Sequence, residues 1–229
     1  ALWGLVPAIF KSRWNTNETL FTLMMNYVAI QITSYCVALW ENPWGSNSVG
    51  VIHRQTKFGW FPPLFGQDYA LNVILVMALT VGMYLYLRYS KQGYEIAVVG
   101  ESANTARYAG IKLSRVYIRT MAISGAICGL AGFIAVAGSS HTISTNTAGG
   151  RGFTAIIVAW LAQFNTFVMV LIAFLLVFLE KGAIRVASQF NLNDYASNII
   201  TGIILFCIIG SEFFINYKLV FHRRKEGGK

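Results

Sequence analysis

The 229-residue sequence is 55 % hydrophobic and 12 % charged, with a mean hydropathy of +0.54. A soluble domain carries about 25 % charged residues, so the composition excludes a large soluble core and points to an integral membrane protein. The net charge of +9 does not make the chain a nucleic-acid binder. An excess of Lys and Arg over so few acids is the bias that membrane proteins place in cytoplasmic loops.

In chain order, Ala1 falls inside sequence that reads as the end of an apolar element. No signal peptide is read ahead of it, and the expectation is either a processed chain or, preferred, a missing N-terminal part. The first span is expected from about Asn17 to Trp40, with Thr16 or Asn17 as cap and Glu18 in the first turn, where the helix dipole favours an acid. Residues 41–68 follow as an external loop. Trp44, Phe58, Trp60, Phe61 and the Pro62–Pro63 pair suit an interfacial aromatic belt with a rigid turn. The second span, Ala70 to Tyr89, is long enough to cross about 30 Å of hydrocarbon.

A polar insert comes next, "GYEIAVVGESANTARYAGIKLSR", Gly93 to Arg115, expected to hold a small helix bracketed by glycines. The third span, Val116 to Ala137, carries Gly125, Gly129 and Gly132, a spacing that lets helices approach closely in lipid. "GGRG" at 149–152 reads as a flexible turn. The apolar run Phe153 to Phe164 is about 18 Å long if helical, too short for an ordinary span. It is either a half-helix lining a cavity or a tilted buried helix. Phe167 to Leu179 and Ala196 to Tyr217 complete the set.

Charge sets the expected orientation. If the short helix crosses, thirteen of the 18 cations lie on one side; if it re-enters, the split falls to ten against eight. The positive-inside rule favours crossing, six spanning elements, and a cytoplasmic insert and C-terminus. The fold class is thus all-α, a single polytopic bundle over 1–229 with a cytoplasmic loop at 90–115.

Chemistry-bearing motifs are few. No GxxxxGK[ST] loop is present, so any ATP must be bound by another subunit. His53, His141 and His222 are far apart and suggest no metal or catalytic set. Cys36, Cys128 and Cys207 are isolated in apolar runs and read as small buried hydrophobes. Polar residues inside spans are costly in lipid and face protein or a water-filled path. Asn26, Gln31, Thr33 and Ser34 lie in the first span, where Asn26, Thr33 and Ser34 share a broad face. With Phe153 and Thr154 at the start of the short helix, they are candidates for a solute pathway; interhelical hydrogen bonding is the other reading. Arg119, one turn into the third span, is expected to snorkel to the surface.

Four stretches together carry a family resemblance. "AVVGESANTARYAGI" resembles the cytoplasmic-loop signature of bacterial ABC-importer permeases of the sugar and branched-chain amino-acid superfamily. "NETLFTLMMNYVAI" resembles a stretch of its nucleoside-type branch, "GGRGFTAIIVAWLAQFN" its GxGFxxIAVALLGxxNP motif, and "GSEFFINYKL" its last helix. Ser102, Thr105, Trp160, Ala162 and Thr166 depart from the usual residues at their positions.

The resemblance implies a non-enzymatic permease subunit of the inner membrane, binding no cofactor itself. Its partners would be a second permease, a cytoplasmic ATPase that binds ATP and magnesium, and an extracytoplasmic solute-binding protein. The implied solute is a nucleoside, with a simple sugar of the ribose or galactose type as the alternative. The implied ATPase-coupling residues are Gly100, Glu101, Ser102, Asn104, Ala106, Arg107, Tyr108 and Gly110, with Gly100 and Gly110 as tight turns at either end of the docking helix, about Ala103 to Ala109, and Ser102 or Asn104 as its cap. A self-powered secondary transporter would need intramembrane acids, and Glu18, Glu180 and Glu212 all fall near expected span ends. A purely structural membrane subunit is the third class.

Overall fold

A computed structural model describes residues 1–41, 43–52, 54–56, 59–63, 66–67, 69–190, 199, 202–204, 206–207 and 210–211. The described chain is helical: α1 (Leu2–Trp14), α2 (Glu18–Trp40), α3 (Ala70–Tyr89), α4 (Lys91–Glu101), α5 (Ala103–Tyr108), α6 (Leu113–Ala135), α7 (Arg151–Leu161) and α8 (Thr166–Gln189). It forms two compact units, 1–149 and 150–229, each treated by itself.

Among the described residues four helices are long and apolar enough to cross a membrane: α2, α3, α6 with its extension to Ser140, and α8. None of the α3 window and only 6 to 11 % of the others is buried within the chain. An apolar helix with so little of its surface covered needs an apolar surrounding, which lipid or another subunit supplies. The same fact corrects the cysteine expectation. Cys128 and Cys207 are exposed on the chain's outer surface and Cys36 is half-buried. The expected sixth crossing, Ala196–Tyr217, and the C-terminal tail lie largely outside the described residues.

Local sequence explains the helix starts. Asn17 caps α2, its Oδ1 accepting from the N–H groups of Thr19 and Leu20 at 3.1 and 3.4 Å. Asn165 caps α8 by accepting from Phe167 N–H at 3.2 Å, leaving Thr166 as the first helical residue, the position where proline also fits.

Two boundaries differ from expectation. The helix expected to end at Leu179 runs to Gln189, because Leu176, Ala183 and Ala187 lie on one buried stripe that continues past the first charges. Glu180 is therefore well inside α8 and exposed, not at a span end. The short helix ends at Leu161, with Gln163 and Phe164 at positive φ forming the turn into α8.

In the first unit, α1 packs against α6. A Cβ on Gly4 would come within 2.6 Å of Met121 O, and one on Gly125 within 3.4 Å of the Gly4 backbone. Backbone contact at that distance needs glycine on both helices. Gly129 and Gly132 meet nothing within 4 Å, so of the three expected packing glycines only Gly125 has a partner here. Ser12 and Ser114 touch through their hydroxyls at the other end of this seam.

At the opposite end of α6 the helix widens into a π-turn, Val136–Ser140. Asn72 donates from Nδ2 to Gly138 O at 2.8 Å, and a Cβ on Gly138 would overlap the Asn72 amide. The loop after α2 folds over this end, with Val49 and Ile52 N–H groups on the carbonyls of Ile143 and His141, each at 2.9 Å. Trp60 stacks on His141, ring centroids 3.9 Å apart, and donates from Nε1 to Ile52 O at 2.8 Å. Trp60 therefore closes a contact within the chain, a role its place in the expected aromatic belt did not foretell.

Candidate coupling surface

The polar insert folds as a sharp corner, two helices and a tight return. α3 ends at Tyr89, and Ser90 caps α4 by accepting from Gly93 N–H at 2.9 Å. A Cβ at Gly93 would come within 2.1 Å of Leu87 O, so the corner closes only around glycine. Tyr86 O–H donates to Gln92 Oε1 at 2.6 Å and braces the same bend.

α4 and α5 meet at Ser102, whose backbone is extended (φ −155°, ψ 117°) and whose hydroxyl accepts from Thr105 N–H at 3.3 Å. Ser102, not Asn104, is the cap. Gly100 lies in the last turn of α4 with open space around it, so the tight turn expected of it is absent and Ser102 makes the break. Gly110 does hold the left-handed conformation, φ +77°. Its N–H bonds to Arg107 O at 3.0 Å, and Ile111 N–H bonds to Ala106 O at 2.9 Å. This pair of bonds is a Schellman motif, and it satisfies carbonyls that a six-residue helix would otherwise leave open.

A small apolar core holds the two helices on the start of α6. Val99, Ala106 and Val116 are buried together, with Ile96, Val98, Ile111, Leu113 and Tyr117 packed around them. Ala106 is fully enclosed, so among the expected coupling residues it anchors α5 from beneath. Asn104, Arg107 and Tyr108 point outward, Tyr108 with 94 % of its surface exposed. Glu101 is exposed at the end of α4.

A second tie was missed in the sequence. Arg119 Nη2 donates to Glu95 Oε2 at 2.9 Å, both side chains about a quarter exposed (25 % and 24 %). Arg119 thus binds α4 to α6 and does not snorkel. The only sequence signal was a lone arginine early in an apolar run with an acid on the preceding amphipathic segment.

The candidate pathway residues fall on two elements. On α2, Asn26 and Thr33 are exposed on one face and Ser34 is half-buried about a quarter-turn away. Thr33 donates to Ala29 O at 2.8 Å, which satisfies its hydroxyl hydrogen within its own helix. The Asn26 amide has no hydrogen-bond partner among the described residues. On α7, in the other unit, Phe153 is exposed and Thr154 half-buried in the first turn. Gly149 and Gly150, at φ +52° and +73°, form the expected turn before it. Eleven residues make α7 about 16 Å long, half the hydrocarbon thickness. No group of three or more potential metal ligands occurs among the described residues.

Residues 1–209 match the family described as "Branched-chain amino acid transport system / permease component". The chain belongs to this family. As a permease component it is 29 % identical, over 98 % of its length, to the glucose ABC transporter permease protein TsgB13 of Haloferax volcanii. It is 30 % identical over 92 % of its length to the guanosine ABC transporter permease protein NupP of Bacillus subtilis. It is 25 % identical over 80 % of its length to the nucleoside ABC transporter permease protein NupB of Lactococcus lactis. The chain spans 62, 61 and 53 % of the lengths of these three curated relatives. No solved structure matches it. Membership makes the chain part of a multi-pass membrane permease, in keeping with its long apolar helices.

Proposed function

We propose that this permease component forms part of the membrane pathway of an ABC importer for nucleosides, and that α5 is where a separate ATPase engages it. The observation that carries this reading is the build of α5. A six-residue helix is capped at both ends and seated on its own apolar core, and it presents Asn104, Arg107 and Tyr108 outward. An exposed arginine and tyrosine on a rigid support are the residue types that dominate interface energetics. They have no other evident use on a chain that lacks a phosphate-binding loop of its own.

In this reading the α5 end is cytoplasmic, as the distribution of Lys and Arg favours. The ATPase binds ATP and magnesium; this chain holds no cofactor and makes no covalent bond. Closure of the ATPase pair moves α5, and the α4–α5 unit passes the movement to α6 through Val99, Ala106, Val116 and the Glu95–Arg119 pair. The bundle is thereby biased between inward- and outward-open states. A second permease completes the pathway, and an extracytoplasmic binding protein delivers the solute. Asn26, Thr33, Ser34, Phe153 and Thr154 line the route. The half-length of α7 suits it, since short helices in transporters end where a solute binds.

The guanosine and nucleoside permeases among the relatives support a nucleoside. The glucose permease favours a second reading, a simple sugar, at nearly equal identity. Uptake of labelled guanosine and glucose by the reconstituted complete transporter separates the two. Transport that persists when ATP hydrolysis is blocked would overturn the ABC mechanism. Arg107→Glu is expected to strip the ATPase from the purified complex; unchanged assembly would remove α5 from the interface.

A further inference from the structure

An open groove of about 470 Å³ runs along the start of α6, lined by Lys112, Ser114, Arg115, Ile118, Arg119 and Ala122. Its chemistry changes along its length. Lys112, Ser114 and Arg115 are exposed at the outer end, while Ile118 and Ala122 form the floor deeper along the helix. Several features make the outer end attractive to an anion. The N-terminus of α6 has no side-chain cap and no acid in its first turn, so its helix dipole favours a negative group there, although Arg115 N–H is already bonded to Lys112 O at 3.0 Å. Arg119 also lines the groove, but Glu95 takes one edge of its guanidinium and its Nε is enclosed within the chain, so Lys112 and Arg115 are the lining cations open to a ligand. Ser12, at the end of α1, touches Ser114 at this end of the groove.

We propose that this groove holds an anionic phospholipid, with its phosphodiester headgroup at Lys112 and Arg115 and an acyl chain along Ile118 and Ala122. The two-part lining selects a lipid over a soluble partner. From Arg115 to Ala122 is seven residues, about 10 Å along the helix, which seats a headgroup at the cationic end and the first part of an acyl chain on the apolar floor, within one leaflet's hydrocarbon of about 15 Å. A protein docking from water would cover the cationic end and leave Ile118 and Ala122 in lipid, whereas a phospholipid matches both ends at once. Basic pockets at the ends of membrane helices bind headgroups in this way. The proposal rests on α6 crossing the membrane and not on which solute is carried, or on which side α5 faces.

The test uses the intact permease purified with its partner subunits and placed in nanodiscs of phosphatidylglycerol and phosphatidylcholine in equal parts. Retained lipids are then counted by native mass spectrometry. The parent complex should retain phosphatidylglycerol preferentially. Lys112→Gln with Arg115→Gln should weaken that retention about 25-fold, at roughly five-fold per cation removed. Lys112→Arg with Arg115→Lys, which keeps the charge, should restore it. Ala122→Phe fills the apolar floor with the cations intact and should also lower it. Equal retention of the two lipids by the parent, or undiminished retention by the Gln variant, overturns the proposal. Loss of the ATPase from the Gln variant with its lipid retained overturns it too, and assigns these cations to the ATPase interface. Solute uptake is not read, so a wrong solute assignment leaves this result untouched.

Discussion

Replacing Glu95 by Gln should loosen the α4–α5 unit from α6 by an amount the structure bounds. The Arg119–Glu95 contact is 2.9 Å, with the two side chains 25 and 24 % exposed. At an effective dielectric of about 20, bare attraction at that distance is about 6 kcal/mol. Desolvation and the ordering of two long side chains offset most of it. Fully exposed pairs yield about 0 to 1 kcal/mol, and removing one partner of a fully buried pair costs about 3 to 5 kcal/mol. A pair three-quarters buried falls between, at about 1.5 to 2 kcal/mol, because Arg119 Nε already lacks a partner and loss of Glu95 leaves the guanidinium without its acceptor. If the unit opens by separating from α6, its amides should exchange with solvent about ten to thirty times faster, at 1.36 kcal/mol per tenfold. The informative amides are Gly110 and Ile111, whose bonds to Arg107 and Ala106 close α5. The assay is hydrogen exchange in phosphatidylcholine nanodiscs, which keeps anionic lipid away from Arg119. A double-mutant cycle with Arg119→Met isolates the pair, whose coupling should be about 1 kcal/mol or more. Unchanged exchange at Ile111 in Glu95→Gln, or strictly additive effects in the double variant, would refute the idea that this pair ties α4 to α6.

Ser12→Cys with Ser114→Cys should form a disulfide on mild oxidation, since the two hydroxyls touch. Adding Gly4→Leu should abolish it, because even a Cβ there meets Met121 O at 2.6 Å; gel mobility under non-reducing conditions reads both. Gly110→Val should cost about 1 to 2 kcal/mol through its left-handed backbone and uncouple solute-stimulated ATP hydrolysis in the assembled transporter. Gly100→Ala, in open helical space, should leave hydrolysis intact and stabilise α4 by up to about 1 kcal/mol. Asn26→Ala should raise KM for uptake several-fold with kcat little changed if its amide contacts solute; an unchanged KM removes Asn26 from the pathway.

The sequence by itself determined what local chemistry decides. Long apolar runs mark α2, α3 and α6 because each must bury its backbone in its own hydrogen bonds within lipid, and Asn17 starts α2 from one residue's side chain. The short helix in the polar insert was legible for the same reason, as was the family, carried by short motifs in order; of the two turns the family implied, Gly110 holds and Gly100 does not. Other features needed partners distant in the chain. Arg119 looked like a snorkelling cation because its acceptor, Glu95, is 24 residues away on a helix whose placement depends on the Ser90–Gly93 corner. Trp60 looked like a belt residue because its partner, His141, lies beyond four intervening helices. Gly125 could not be told from Gly129 or Gly132 until α1 lay against one of them. Glu180 seemed to close a span because charge onset is a local signal, while the stripe of Leu176, Ala183 and Ala187 that extends α8 is read only from what covers it. The ends and lengths of helices are written in neighbouring residues. Which side chain meets which is set by packing between segments, and only the tertiary structure decides that.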